Sequence, residues 1–339
     1  MKISVQTPNR IDLAGGTIDI YPLYVFEEGA VTVNAAIQIL SKIEIETRSD
    51  SKIAISSLDL KKEVLFEHLS DCKPEGELDL LVRAVQQYKP QTGISLKSEN
   101  QAPQGSGIGA SSALLMAASS GLNELTEKHL SYQQIIDMGA NLEAQTIKIP
   151  TGKQDYYAAV YGGINAVWFD ERGIRLEQMN YSETEIQELE SRVILSYTGI
   201  PHFSGENNWT IMKRYIDGEE KTVKALREIK KTAFKMRDAV FHKQWDQIGF
   251  LLKEEWENRK KLTSGVTTEK IDEIILQAEK AGAVSSKLCG AGGGGCMITW
   301  VEPEKREQVE SALRAQGIKL LPFKIALKGL KTKLSIPTF

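Results

Sequence analysis

Apolar and polar residues alternate along residues 31–47, most plainly through Ile43, Ile45 and Thr47, and alternate again along Lys52–Leu60. This two-residue period predicts half-buried strands. The opening run SVQTPNRIDLAGG is also strand-like and breaks at Gly15-Gly16. Asp79–Tyr88 then changes to helical spacing, and Ile94 and Leu96 mark a short strand before a loop at Asn100–Gly109. Ala110–Leu125 and Ser131–Ile147 predict helices. Ile164–Phe169 and Ile174–Met179 predict a hairpin, joined by the turn-prone Asp170-Glu171-Arg172-Gly173.

Beyond residue 190 helical patterns dominate. Glu219–Leu262 is long, charged and amphipathic, with Leu226, Ile229, Val240, Trp245, Ile248 and Leu252 on its apolar stripes and a break expected near His242–Asp246. Another helix is expected at Thr268–Ala281. Strands at Val284–Leu288 and Met297–Val301, a helix at Glu304–Gln316 and a strand at Lys319–Ala326 complete a βαβ-like pattern. The polar stretch Tyr181–Leu189 suggests a boundary, dividing the chain into domains 1–185 and 186–339.

A chain of 339 residues accommodates two domains at roughly 150 residues each. With 41% hydrophobic and 26% charged residues, its composition excludes wholesale disorder, collagen-like fibres and disulfide-rich miniproteins. There is no apolar run long enough for a membrane span, and MKISVQTPNR lacks the apolar core of a signal peptide. The formal net charge of −3 argues against a general nucleic-acid binder. After Glu310, however, Arg314, Lys319, Lys324, Lys328, Lys331 and Lys333 have no acidic neighbour in sequence. That run is either a solvated strand face or a field drawing in an anionic substrate. Three cysteines (Cys72, Cys289, Cys296) without a secretion signal point to reduced thiols in a cytoplasmic protein. The four histidines are scattered, with no zinc spacing and no cue for a Ser-His-Asp triad.

Candidate chemistry collects where glycine is dense, because bare backbone N–H groups can approach an anion there. In PQGSGIGASSALLMAA (103–118), Gly105, Gly107 and Gly109 alternate ahead of a helix-forming run. That arrangement suits a phosphate cradle at a helix N-terminus, with the Ser111 and Ser112 hydroxyls in the first turn; the bland alternative is a glycine-rich turn with serine caps. It is not a Walker loop, since no GxxxxGK[ST] occurs. In KLCGAGGGGCMITW (287–300), Gly290, Gly292 and Gly295 satisfy GxGxxG, yet a β-rich run follows where a dinucleotide fingerprint needs a helix. A strand–loop–strand element is expected, able to press on another loop or a phosphate, or simply a tight packing turn. In PNRIDLAGGTIDIYP (8–22), Arg10 suits transferring phosphate charge and Asp19 suits substrate hydroxyls, with an Arg10–Asp12 ion pair as the structural alternative. Glu143 and Asp155, twelve residues apart, can converge, one on a metal and one on an attacking hydroxyl.

In order and content these four segments resemble the galactokinase, homoserine kinase, mevalonate kinase and phosphomevalonate kinase (GHMP) superfamily, over nearly the whole chain. GKQDYYAAVYGG, EEWENRKKLTSGVT (254–267) and SKLCGAGGGGCMI are most similar to its heptose-7-phosphate kinases and fucokinases. Galactokinases carry Glu-His where this chain has Gly16-Thr17, which points away from galactose. The resemblance implies a two-domain α+β fold, its N-terminal domain with a left-handed βαβ crossover and its C-terminal domain ferredoxin-like. It implies ATP and Mg²⁺, with phosphates on Pro103, Gly105, Ser106, Gly107, Ile108, Gly109, Ala110, Ser111 and Ser112, although Ala110 replaces a frequent serine. Ser111 and Glu143 match metal ligands. Asp155 matches the catalytic aspartate and Arg10 the catalytic basic residue, with Lys153 beside them. Gly16, Thr17 and Asp19 match the substrate side, as do Gly290, Ala291, Gly292 and Gly293. Segment 197–209, loop-like in pattern, lines a sugar pocket through His202, Ser204 or Asn207, or is an ordinary surface loop. The expected reaction phosphorylates a hydroxyl, most simply the anomeric one, of a sugar or sugar phosphate. A mevalonate- or galactokinase-type acceptor and a non-catalytic nucleotide-binding regulator are the alternatives. The expected partner is that small molecule, not nucleic acid or membrane, in a monomer or homodimer.

Overall fold

The computed structural model describes residues 1–201 and 204–335. Its first half is built on two long strands, β1 (Lys2–Ala14) and β2 (Ala30–Thr47), paired antiparallel along their length. Each is covered on one face at one end and on both faces at the other. Ile3, Val5, Ile43 and Ile45 alternate into one core, whereas Ile11, Leu13, Val31 and Val33 sit in a second. The alternation seen in the sequence belongs to the first of these ends.

Between them lies the short helix α1 (Leu23–Phe26). Then come β3 (Ile53–Ser57), β4 (Lys62–Phe66), α2 (Asp79–Tyr88) and β5 (Ile94–Asn100). β3 and β5 are parallel, with α2 in the connection. Three helices follow: α3 (Ala110–Leu125), α4 (Tyr132–Ile147) and α5 (Gln154–Tyr161). The hairpin β6 (Ile164–Asp170) and β7 (Gly173–Met179) joins the same sheet through β2. A capping box between Ser182 and Glu185 starts α6 (Glu183–Arg192).

The second sheet starts with β8 (Val193–Tyr197). Next are α7 (Ser204–Ile216), α8 (Glu220–Phe241), α9 (Trp245–Arg259) and α10 (Glu269–Lys280). β9 (Ala283–Leu288), β10 (Cys296–Val301), α11 (Arg306–Ala315) and β11 (Lys319–Leu321) complete it. The strand order is β11-β8-β10-β9. In chain order that is fourth, first, third, second, the ferredoxin-like arrangement that was expected. The long amphipathic segment does break where expected, between α8 and α9.

The polar stretch Tyr181–Leu189, read as a boundary, leads into α6, which exposes one face while Ile186 and Leu189 enter the core. Two expectations need correction. The strand expected at Lys319–Ala326 ends at Leu321, ahead of Pro322, which has no N–H to donate. The chain then crosses to the first sheet, with Gln38 N donating to Lys324 O at 2.8 Å and Ala326 N to Ala36 O at 2.8 Å. It finishes as β12 (Lys331–Ser335), antiparallel to β1. Residues expected in the second domain thus form the edge of the first sheet, and Lys331 and Lys333 lie on that exposed edge.

Candidate active site

A cleft of about 710 Å³ runs between the loop before α3, the start of α5 and the turn after β1. Arg10, only 4% exposed, organises its centre. Its backbone N–H donates to Ile108 O at 3.0 Å. Its Nη1 donates to Gly107 O and its Nε to Asp155 Oδ1, each at 2.7 Å. One side chain therefore clips the glycine loop and the first turn of α5 onto β1. Burial opposes the guanidinium charge, but the Asp155 and Asp12 carboxylates outweigh it and hold the Arg10 pKa above its ordinary value.

The glycine loop is shaped by its neighbours as much as by its own sequence. Cys296 N donates to Ser106 O at 2.7 Å, so the 103–109 loop lies against the β9–β10 hairpin. A Cβ on Gly295 would sit 2.6 Å from Ser106 O, and one on Gly109 3.1 Å from the Asp155 carboxyl carbon. Both residues have positive φ, +84° and +75°, so side-chain bulk and backbone conformation exclude other residues together.

At the head of α3, Ser112 Oγ donates to Glu143 Oε2 at 2.9 Å, and the Ser111 and Tyr156 hydroxyls also donate to Glu143. Burial pushes the Glu143 pKa up while these hydroxyls pull it down. Burial, reinforced by Glu143, pushes Tyr156 well above its ordinary value, so the phenol stays a donor. Carboxylate and hydroxyl oxygens suit a hard cation that takes its remaining ligands from phosphate and water, while the N-terminus of α3 favours the phosphate itself. Among the described residues no cluster of three His, Cys, Asp or Glu could hold a metal by itself.

Asp19 lies across the cleft, 2% exposed, accepting from Gln154 N at 3.1 Å. Burial raises its pKa to about 6, partly offset by that N–H and increased again by Asp155. Gly16, Thr17, Asn208, Gly290 and Ala291 close this end. At the opposite end the wall is Ser57, Asp59, Leu60, Leu78, Leu81 and Asn100, a slot of leucine and polar side chains beyond the glycine loop. Sequence reasoning missed this second end. Its residues come from the β3–β4 turn, α2 and β5, and carry no local motif.

Most of the residues singled out in sequence meet in this one cleft; Lys153, Ile108, Gly292, Gly293 and Asn207 stay out of it. Lys153 turns away to Asp137, Nζ to Oδ1 at 2.6 Å, and forms no pair with Asp155. The Ile108 side chain is buried in the core, leaving only its carbonyl to serve the site. Gly292 and Gly293 pack on Val266 instead of facing the cleft, with Gly293 N donating to Val266 O at 2.7 Å. Arg10 also does not pair with Asp12, which meets Lys287 at 3.2 Å. In the 197–209 segment, α7 begins at Ser204, earlier than a loop predicts. Asn207 is buried, with Nδ2 on Gly265 O and Ala291 O at 3.0 and 3.2 Å, and its neighbour Asn208 lines the cleft in its place. His202 lies outside the described residues.

Sequence comparison identifies the GHMP kinases N terminal domain in residues 79–163 and the GHMP kinases C terminal domain in residues 236–319. The D-glycero-alpha-D-manno-heptose 7-phosphate kinase of Campylobacter jejuni is 29% identical over 97% of this chain and 98% of its own. The mevalonate kinase of Pyrococcus furiosus is 28% identical over 98% of both chains. The crystal structure of a D-glycero-D-manno-heptose 1-phosphate kinase from Bacteroides thetaiotaomicron superposes with a TM-score of 0.79. It covers 99% of this chain and all of its own at 23% identity, a likeness of fold. Among the described residues no helix is long and apolar enough to cross a membrane.

Proposed function

Because the chain belongs to the GHMP kinases, phosphotransferases with an alcohol acceptor, we propose that it moves the terminal phosphoryl group of ATP to a sugar or sugar-phosphate hydroxyl, the anomeric one. The observation that carries this reading is the Arg10–Asp155 pair at 2.7 Å, lying between the glycine loop and the carboxylate of Asp19. The slot between Leu60 and Leu81, with polar groups from Ser57, Asp59 and Asn100, takes the nucleoside, and the 103–109 loop presents N–H groups to the phosphates. Phosphoryl transfer asks mainly for alignment and charge stabilisation. Asp155 aligns the attacking hydroxyl and accepts its proton. Arg10 steadies both that carboxylate and the charge on the transferred group. Ser111 and Glu143 would hold Mg²⁺, which supplies charge neutralisation of the triphosphate.

A carboxylate pair, Asp19 and Asp155, at the acceptor end suits a polyol with several hydroxyl donors, which favours a sugar over mevalonate. The reaction is assigned to the cytoplasm, in keeping with three unpaired, buried cysteines. An ADP-coupled assay with ATP and Mg²⁺ tests the reading, using D-mannose, L-fucose, D-galactose, D-glycero-D-manno-heptose 7-phosphate and mevalonate as acceptors. Turnover on a sugar acceptor, with the product phosphate located by NMR, is expected. Turnover on mevalonate alone would reassign the acceptor. ATP binding with no ADP release from any acceptor would favour a regulator.

A further inference from the structure

Behind the acceptor end, and outside its lining, four charged side chains meet with no solvent exposure: Asp12, Lys287, Glu255 and Arg259. Lys287 Nζ lies 3.2 Å from Asp12 Oδ2 and 3.1 Å from Glu255 Oε2. Arg259 Nε donates to Glu255 Oε1 at 2.9 Å. The charges balance, and the group joins β1 of the first sheet, β9 of the second, and α9. The proposed chemistry uses none of the four.

Arg259 extends from this group toward the wall. Its Nη2 donates to Gly16 O at 3.0 Å, and its Nη1 reaches Thr17 Oγ1 at 3.3 Å and Gly290 O at 3.4 Å. Thr17 in turn donates to Asn208 Oδ1 at 3.3 Å. Gly16, Thr17, Gly290 and Asn208 are wall residues, drawn from the turn after β1, the β9–β10 loop and α7. Thr17 is also strained: a β-branched residue at φ +77° is held where such side chains rarely go. Gly16 has no room for change either, because a Cβ there would lie 2.8 Å from Asp12 Oδ2 and 3.4 Å from Arg259 Nη2.

We propose that Arg259 is a positioning residue for the acceptor: its forked guanidinium fixes the Gly16–Thr17 turn and, through Thr17, Asn208, and so sets the shape into which the acceptor hydroxyls fit. The proposal rests on the acceptor end assigned above. A planar fork is required, because a single ammonium cannot serve Gly16, Thr17, Gly290 and Glu255 together. Arg259 makes no hydrogen bond to the glycine loop and comes nearest to it through Gly290, which lies against Gly107, so the nucleotide end feels its loss less than the acceptor end does.

Two variants test it. Arg259→Lys keeps the buried charge and loses the fork; Thr17→Val keeps the shape and loses the hydroxyl link. Arg259→Lys is expected to lower kcat/KM for the acceptor about 100-fold, mainly through KM, with the ATP KM within about twofold of wild type. Thr17→Val is expected to raise the acceptor KM about tenfold, the loss of one hydrogen bond to a charged group. The double variant is expected to fall well short of the product of the two effects, since both cut one chain of contacts. Amide exchange at Ile20, whose N–H donates to Thr17 O at 3.1 Å, supplies a readout that needs no acceptor: it is expected to accelerate about tenfold in Arg259→Lys while Arg10, whose N–H donates to Ile108 O at 3.0 Å, stays protected. Unchanged exchange at Ile20, or equal shifts in ATP and acceptor KM, would overturn the proposal. If wild type turned over none of the acceptors, the functional reading would fall and the exchange result would still decide the role of Arg259.

Discussion

Asp155 is held through one carboxylate oxygen by Arg10 at 2.7 Å, in the first turn of α5. Asp155→Asn keeps the shape and removes the proton acceptor, so kcat should fall by about 10³-fold in the ADP-coupled assay while the ATP KM stays near wild type. Asp19 makes a prediction about pH. Its folded pKa, about 6, lies above the 3.8 of an ordinary aspartate because burial disfavours the charge. Between those values the folded protein keeps a proton that the unfolded chain has lost, so stability falls as pH rises through this window. Above it the cost is on the order of 3 kcal/mol. Asp19→Asn should therefore raise the melting temperature at pH 8 and change it little at pH 4. Wild-type acceptor KM should rise as pH drops below 6, when the carboxylate that accepts hydroxyl donors is lost, and the variant should lack that dependence. Arg10, Glu143, Asp19 and Asp155 were legible in the sequence because each sits in or beside a glycine-marked segment. Arg259 and Lys287 were not, although both lie inside quoted segments and Lys287 opens the glycine run 287–300. Their meaning is a buried meeting with Asp12, more than 240 residues away in sequence from either of them, and no local pattern records it.

The two glycine segments act as one element in space: the 103–109 loop lies on the β9–β10 hairpin, and the hairpin is shaped to receive it. Gly295→Ala would force a methyl to 2.6 Å from Ser106 O at a φ of +84°. Strain at such a position costs on the order of 1–3 kcal/mol before the clash is counted. The urea midpoint should drop, and the ATP KM should rise by about tenfold, because Ser106 and Gly107 shift together. A loss of stability with no change in ATP KM would show that the loops are independent. Sequence spacing identified both glycine runs, but could not tell cleft glycines from packing glycines. Gly290 faces the cleft while Gly292 and Gly293 press on Val266, a distinction made by α9 and the loop after it. For the same reason polar stretches misled. The 181–189 segment reads as a boundary and 197–209 as a loop because α6 and α7 are amphipathic, and their buried faces appear only when both sheets are in place.

At the scale of the whole molecule, the two halves share a core. One core takes Ile11, Val31 and Val33 from the first sheet together with Met236, Ile248 and Trp300 from the second half, all fully or almost fully buried. The chain end returns as β12 to pair with β1, and residues 324–326 bridge to β2 on the way. Separating the halves would uncover apolar surface at roughly 25 cal/mol per Å² and strip β1 of an edge partner. Hydrophobic patterning sees each strand's faces but not which half covers them, so the sequence predicts two domains without revealing the core they share. Residues 1–185 expressed alone should be aggregated or molten, with far-ultraviolet circular dichroism but no cooperative urea transition. The intact chain should unfold in a single transition followed equally by tryptophan fluorescence and circular dichroism, its tryptophans lying in both halves. Adding residues 186–339 to the fragment during refolding should restore cooperativity, whereas addition of 186–325, which lacks β12, should not. A cooperative, monomeric 1–185 would show instead that the first sheet closes its own core, and that the buried Asp12–Lys287 contact joins two preformed bodies.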